Sequence, residues 1–349
     1  MTMHATVDMN VIPDPAAAEP FVGDFLPWLT RAADDVDAHF LQGDRLRELI
    51  AATADLGERA AQGDPSAVFG QQYLLAKIYE LSMQIRTGES AESSVALQAV
   101  TRQLEKDTIR EQDSYIDQDL IAGSPDDPER FVPWLKAIIR NHRVFKHPYW
   151  HEFMRNEAQP ADLRHFVIQE SSVDARFDDL LALMQVGTDG AAKMEIANNF
   201  WDEMGNGDPA QVHTVLFQKI IDHFEITDEE LSENLSSDAL LGGNLAVLVC
   251  RYRHLFYEAV GHLAVAEWLA PDRFSQVLHA WRRLDLPPEG IIYHELHIGI
   301  DAHHASGWFA NVVKPLANDP VARRAVARGA LWRADSSARY LDWILDGSR

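Results

Sequence analysis

The sequence predicts an all-helical protein, and three observations carry that expectation. Apolar residues recur at helical spacing along most of the chain. No segment shows sustained alternation of apolar and polar residues. Pro and Gly punctuate the chain at intervals suited to helices rather than strands. Over residues 25–62 the apolar set Phe25, Trp28, Leu29, Ala32, Val36, Phe40 and then Leu46, Leu49, Ile50, Leu56 predicts two helices, broken near Gly43 and Asp44. Asp64 as N-cap with Pro65 behind it opens a third, through residue 86, and another amphipathic segment covers 91–121. Gly123 to Pro128 reads as a linker, after which 133–141 and 148–156 are short helical pieces rich in aromatics. Pro160 opens a long helix through 186, and the next covers 190–204. Gly205 to Pro209 stops that helix and starts another, which runs to residue 224. Asp228 caps a short helix; 244–269, 271–284, 288–316 and 320–345 follow as helices.

The first 22 residues, rich in Pro, Ala and acid, are expected to be a disordered tail; they lack the basic and apolar regions of a signal peptide. Residues 23–128 are then an N-terminal helical extension with a packing or dimerisation role, a homodimer being the expected assembly. Residues 129–349 are the functional portion. The formal net charge of −23 argues against nucleic acid and anionic membrane surfaces, both of which need Lys and Arg. Cys250 is the single cysteine, so disulfides, zinc ribbons and iron–sulfur clusters are excluded. The longest apolar run, 239–250, is too short to span a bilayer and contains Asn244, so a cytoplasmic protein is expected.

The stretch IIYHELHIGIDAHHASGWF, residues 291–309, carries four histidines and an aspartate. At about 100° per residue, His297, Asp301 and His304 share one narrow stripe, bordered by His294, while His303 lies off it. Ile298, Ile300, Trp308 and Phe309 make the surroundings apolar, so this His-x3-Asp-x2-His set is expected to face a core. Imidazoles and a carboxylate converging inside a protein suit divalent iron.

Matching donors lie upstream. Glu170 sits on an amphipathic helix, in a stripe with Asp174 and Asp178. Glu203 precedes His213 by ten residues, a spacing that misaligns on one straight helix. The break at Gly205 to Pro209 removes that objection, placing Glu203 in the last turn of one helix and His213 in the second turn of the next. Glu170, Glu203, His213, His297, Asp301 and His304 thus offer six N and O ligands from at least three helices, which suits a pair of iron or manganese ions in a helical bundle. HELH at 294–297 lacks zinc-protease spacing, and no repeated Glu-x-x-His of the ferritin type occurs.

Three stretches carry a resemblance: QESSVDARFDDLLA with Glu170, WDEMGNGDPAQVH with Glu203 and His213, and HIGIDAHH with His297, Asp301 and His304. Together, over roughly residues 133–345, the chain resembles the haem-oxygenase-like di-iron oxidases, also described as iron-containing redox enzymes. The resemblance implies a haem-oxygenase-like helical bundle that binds no haem. It implies two Fe(II) ions, with Mn an alternative, that activate O2 to oxidise a small molecule. The expected substrate is an amino acid or amine, the outcome N-oxygenation or oxidative C–C cleavage, and an external electron donor a further partner. Under it Glu170 and Glu203 are carboxylate ligands, at least one able to bridge; His213, His297 and His304 are imidazole ligands; Asp301 completes the set. Glu203 is preferred over Asp202 and Asp208. On the helix expected at 244–269, Arg251 and Glu258 form part of a polar stripe and are the expected substrate-binding pair, Arg251 for a carboxylate and Glu258 for an amine. A thiaminase-like hydrolase using Cys250 and a non-catalytic metal-binding scaffold are the competing readings.

Overall fold

The computed structural model describes residues 19–347. It is helical throughout, with no strand among the described residues. The expected tail falls outside the described residues up to position 18; from Pro20 the chain is helical, with Val22 buried and Glu19 paired to Arg59 at 2.8 Å.

The first layer comprises α1 (Pro20–Phe25), α2 (Ala33–Phe40), α3 (Arg45–Ala61), α4 (Pro65–Met83), α5 (Val95–Tyr115) and α6 (Gln118–Ala122). Asp64 caps α4 through Ser66 N, as Asp-Pro predicts, and Ser94 caps α5 through Leu97 N. After α7 (Pro128–Asn141) and a π-helical turn at Tyr149–Glu157 come α8 (Pro160–Asp174), α9 (Phe177–Met184), α10 (Gly190–Glu203), α11 (His213–His223) and α12 (Asp228–Glu233). The C-terminal part is α13 (Ser237–Arg251), α14 (Phe256–Arg283), α15 (Ile292–Trp308), α16 (Lys314–Leu316) and α17 (Pro320–Gly347).

Several expected boundaries differ. The helix read as 244–269 is broken at Tyr252, which is extended at φ −103°, ψ 127°, so Arg251 and Glu258 lie on different helices. The helix read as 160–186 is two helices, because Arg176 leaves helical geometry at φ −146°, ψ 19°. Pro271 does not start a helix but lies inside α14. A proline there removes the N–H that would bond the carbonyl four residues back, which is that of Glu267. His213 is the first residue of α11, not in its second turn, since residues 208–212 form a turn stapled by the Asp208 side chain on Ala210 N at 2.9 Å.

Helix α14 is the axis of the functional half, with α15 on one side and α17 on the other. Two glycines let α14 and α17 touch backbone to backbone. A Cβ on Gly261 would lie 1.9 Å from Val326 O, and one on Gly329 would lie 1.9 Å from Glu258 O. The helical extension does not stand apart. Asn244 on α13 donates to Gln72 O on α4 at 2.8 Å, Arg328 on α17 pairs with Asp113 on α5 at 2.6 Å, and one contiguous apolar core runs from Val22 to Leu345. No described helix is long and apolar enough to cross a membrane.

Candidate metal centre

Helix α15 presents the stripe that its sequence predicts: His294, His297, Asp301 and His304 are all buried, while His303 is exposed. Around it stand two groups of three donors, each group with its ligand atoms within 4.8 Å of one another. The first is Glu203, His213 and His297; the second is Glu267, Asp301 and His304. All six side chains are buried.

In the first group Glu203 Oε2 lies 2.7 Å from His213 Nδ1 and Glu203 Oε1 lies 3.7 Å from His297 Nε2. The two imidazole rings meet edge to face at 4.4 Å. His213 Nδ1 has no hydrogen-bond geometry toward any partner despite that short distance, as a lone pair aimed at a point shared with the carboxylate would show. His297 Nδ1–H donates to Tyr293 O at 2.7 Å, which fixes the tautomer and leaves Nε2 facing Glu203. The second group repeats the device: His304 Nε2–H donates to Asp202 at 3.0 Å, turning Nδ1 toward Glu267 at 3.5 Å and Asp301 at 3.8 Å. His304 Nδ1 and Glu267 Oε1 have no hydrogen-bond partner of their own. Buried donors left in this state are costly unless a cation is shared between them, so both groups fit divalent iron by donor chemistry and by orphaned atoms. Glu203, Glu267, His297 and Asp301 line one small cavity of ≈ 360 Å³ empty volume.

The turn between Glu203 and His213 depends on Gly205, which has φ +60° and whose added Cβ would meet Gln211 C at 2.5 Å. Gly205→Ala is therefore expected to cost ~1–3 kcal/mol. It should also weaken iron binding by the first group, as unfolding curves and iron titrations would show.

Electrostatics tie the groups together. Burial alone would raise the Glu203 carboxyl; His213 and His297 outweigh it and hold it at about 2. Burial alone would lower His297, but Asp301 and Glu203 lift it to about 10; Glu267 similarly lifts His304 to about 9. Burial, with Glu267 and Glu203 nearby, pushes Asp301 well above the ordinary carboxylate range. Both imidazoles are thus protonated at neutral pH without metal, and a cation must displace those protons. Iron binding near pH 7 is expected to release protons, and apparent affinity to rise with pH through about 9 toward about 10. Calorimetry in buffers of different ionisation enthalpy measures that release; a proton-neutral binding event would contradict it.

Five of the six expected ligands gather here and one does not. Glu170 belongs to neither group: it accepts from His294 Nε2 at 3.2 Å and pairs with Arg273 at 3.2 Å. The third carboxylate at the centre is Glu267 of α14. Of the alternatives to Glu203, Asp208 is exposed and caps a turn, while Asp202 serves His304. Arg251 stacks over Tyr79 and Tyr252, and Glu258 pairs with Arg328 at 3.1 Å; neither lines this cavity or the larger one beside it. One signal for Glu267 was present: it is the only carboxylate between Glu258 and Asp272, inside an apolar run.

A family model described as iron-containing redox enzyme matches residues 164–338, just over half the chain and every residue of both groups. The chain belongs to the iron-containing redox enzyme family. Its helical bundle is accordingly haem-oxygenase-like, and an iron-dependent oxidoreductase is the activity class this family carries. Both buried carboxylate–imidazole groups lie within the matched residues and are compatible with iron binding. No curated protein matches the chain.

Proposed function

We propose that this iron-containing redox enzyme is an O2-dependent non-haem di-iron oxidoreductase. Glu203, His213 and His297 would hold one ion; Glu267, Asp301 and His304 would hold the other. The observation that supports two sites is the presence of two three-residue donor groups, each of which contributes two residues to the lining of a single cavity. Ferrous ions bound there would supply the electrons that reduce O2. The chain's own part is positioning. Tyr293 O and Asp202 set the orientation of His297 and His304, and Phe274 packs at 5.5 Å from the His297 ring, keeping that side apolar.

Asp174 lines both this cavity and the larger one, and burial, ahead of Glu170, raises its carboxyl to about 7. It can therefore hold or release a proton near neutral pH beside the reacting centre. The substrate is proposed to be a small amino acid or amine, oxidised by N-oxygenation or C–C cleavage, with an external donor re-reducing the iron.

Cys250 does not favour the hydrolase reading, because burial pushes its thiol up to about 12, where it is inert as a nucleophile. Stopped-flow mixing of Fe(II)-loaded protein with O2, in the presence of amino acids and amines, tests the proposal. An O2-dependent visible transient whose decay one substrate class accelerates is expected; iron binding with no O2 consumption would leave only a metal-binding scaffold.

A further inference from the structure

A second cavity, of ≈ 820 Å³ empty volume, adjoins the metal cavity and shares Val173, Asp174, Ala266, Arg273 and Arg333 with it. Its lining includes the apolar side chains of Trp150, Phe166, Leu269 and Leu341. The two arginines stand at the junction but are in different states. Arg273 is engaged: Nη1 lies 3.2 Å from Glu170 and Nη2 lies 3.5 Å from Asp174, and its plane stacks over Phe274 at 4.4 Å. Arg333, projecting from the middle of α17, is not. No carboxylate of the described residues lies within ion-pair distance of it, and its Nε is buried without a hydrogen-bond partner. Burial and then the neighbouring Arg273 lower Arg333 only to about 10, so it stays a cation at neutral pH.

A guanidinium left unpaired in a half-buried cavity wall opposes folding, because its desolvation is not offset by a partner. Glu170 and Asp174 act on it only through space: both hold Arg273, and neither lies within ion-pair distance of Arg333. The remaining carboxylates on this cavity, Asp238 and Asp272, do not reach it either, and Asp272 is taken by His151 at 3.0 Å. A fork of donors facing an open space beside a reaction centre matches an anionic group in plane and charge.

We propose that Arg333 is the specificity-determining residue of this enzyme, receiving an anionic group of the ligand at the junction of the two cavities while the ligand's apolar part lies along Trp150 and Phe166. The inference rests on the di-iron reading only in calling that ligand a substrate. The site itself needs no metal.

The test uses the full chain, once metal-free and once loaded with Fe(II) under argon, and measures binding of hexanoate, hexan-1-ol and hexylammonium by calorimetry and ligand-observed NMR. Wild type should prefer hexanoate over hexanol by about tenfold or more, and hexylammonium should bind most weakly. Arg333→Met keeps the straight apolar stem and should erase that preference while leaving hexanol binding unchanged. It should also leave Tm unchanged or raise it, since an unpaired cation has been removed. Arg333→Lys should retain part of the preference. Equal binding of hexanoate and hexanol by wild type, no binding of hexanoate, or a preference surviving in Arg333→Met overturns the proposal. A fall in Tm in Arg333→Met would assign the guanidinium to the fold and overturns it as well. Wild-type selectivity decides the matter even if the variant fails to fold. Because the metal-free arm stands alone, failure of the di-iron reading would show as absent iron binding with selectivity intact.

Discussion

Replacing Glu267 by Ala is expected to remove one iron per chain and abolish O2 consumption, whereas Glu170→Gln is expected to keep both irons. The contrast follows from where the two carboxylates sit. Glu267 shares a ligand group with Asp301 and His304, and its Oε1 has no other partner. Its removal leaves two like-minded neighbours, a lifted imidazole and a carboxyl already far above its ordinary range, without the third donor that a stable ion needs. The loss should exceed the ~10–100-fold that removing an outer-shell partner costs. Glu170 instead balances Arg273 together with Asp174, while His294 donates to it. Its neutral amide analogue would unsettle Arg273 and move the pH dependence of anything bound beside it. Iron per chain, measured after anaerobic loading and desalting, separates the two variants. Two irons in Glu267→Ala and one in Glu170→Gln would return Glu170 to the ligand set.

The second large effect concerns stability. Gly261→Ala and Gly329→Ala each place a methyl 1.9 Å from a backbone carbonyl of the facing helix, far inside contact distance. Alanine would improve helix propensity by about 1 kcal/mol, but α14 and α17 would have to move apart along their crossing, and overpacking of rigid backbone costs ~1–3 kcal/mol or more. The clash is therefore expected to win at each position, and the double variant should lose most of the cooperative transition. Because α14 carries Glu267, weaker iron binding should accompany the lower Tm. Gly299→Ala is the control: it lies on α15, is exposed and meets nothing within 4 Å, so it should be neutral or stabilise by up to ~1 kcal/mol. Thermal unfolding of all three compares them; a stabilised Gly261→Ala would contradict the close crossing.

How much of this was legible in the sequence can be judged residue by residue. The His297, Asp301, His304 stripe was fully legible, because ligand spacing on one helix depends only on the helical period. The approach of Glu203 to His213 was legible through Gly205, although the turn proved longer and His213 opens its helix. Glu267 was hidden for the opposite reason. A lone carboxylate in an apolar run has no periodic companion, and only the packing of α14 on α15 shows what it faces. For Glu170 the stripe with Asp174 identifies a buried polar face without identifying the partner; Arg273, about a hundred residues away in sequence, pairs with both. Arg251 and Glu258 were read as substrate groups for want of Tyr79 and Arg328, which belong to other helices. Pro271 was read as a helix start, its commonest meaning, where tertiary packing carries α14 straight through it.

The central claim is that two ions occupy two named donor groups. Crystals of the Fe(II)-loaded protein grown without O2, with anomalous scattering recorded on both sides of the iron edge, test it most directly. The account predicts two iron peaks, one among Glu203, His213 and His297 and the other among Glu267, Asp301 and His304. A single peak, or a peak coordinated by Glu170 with Glu267 turned away, would contradict it.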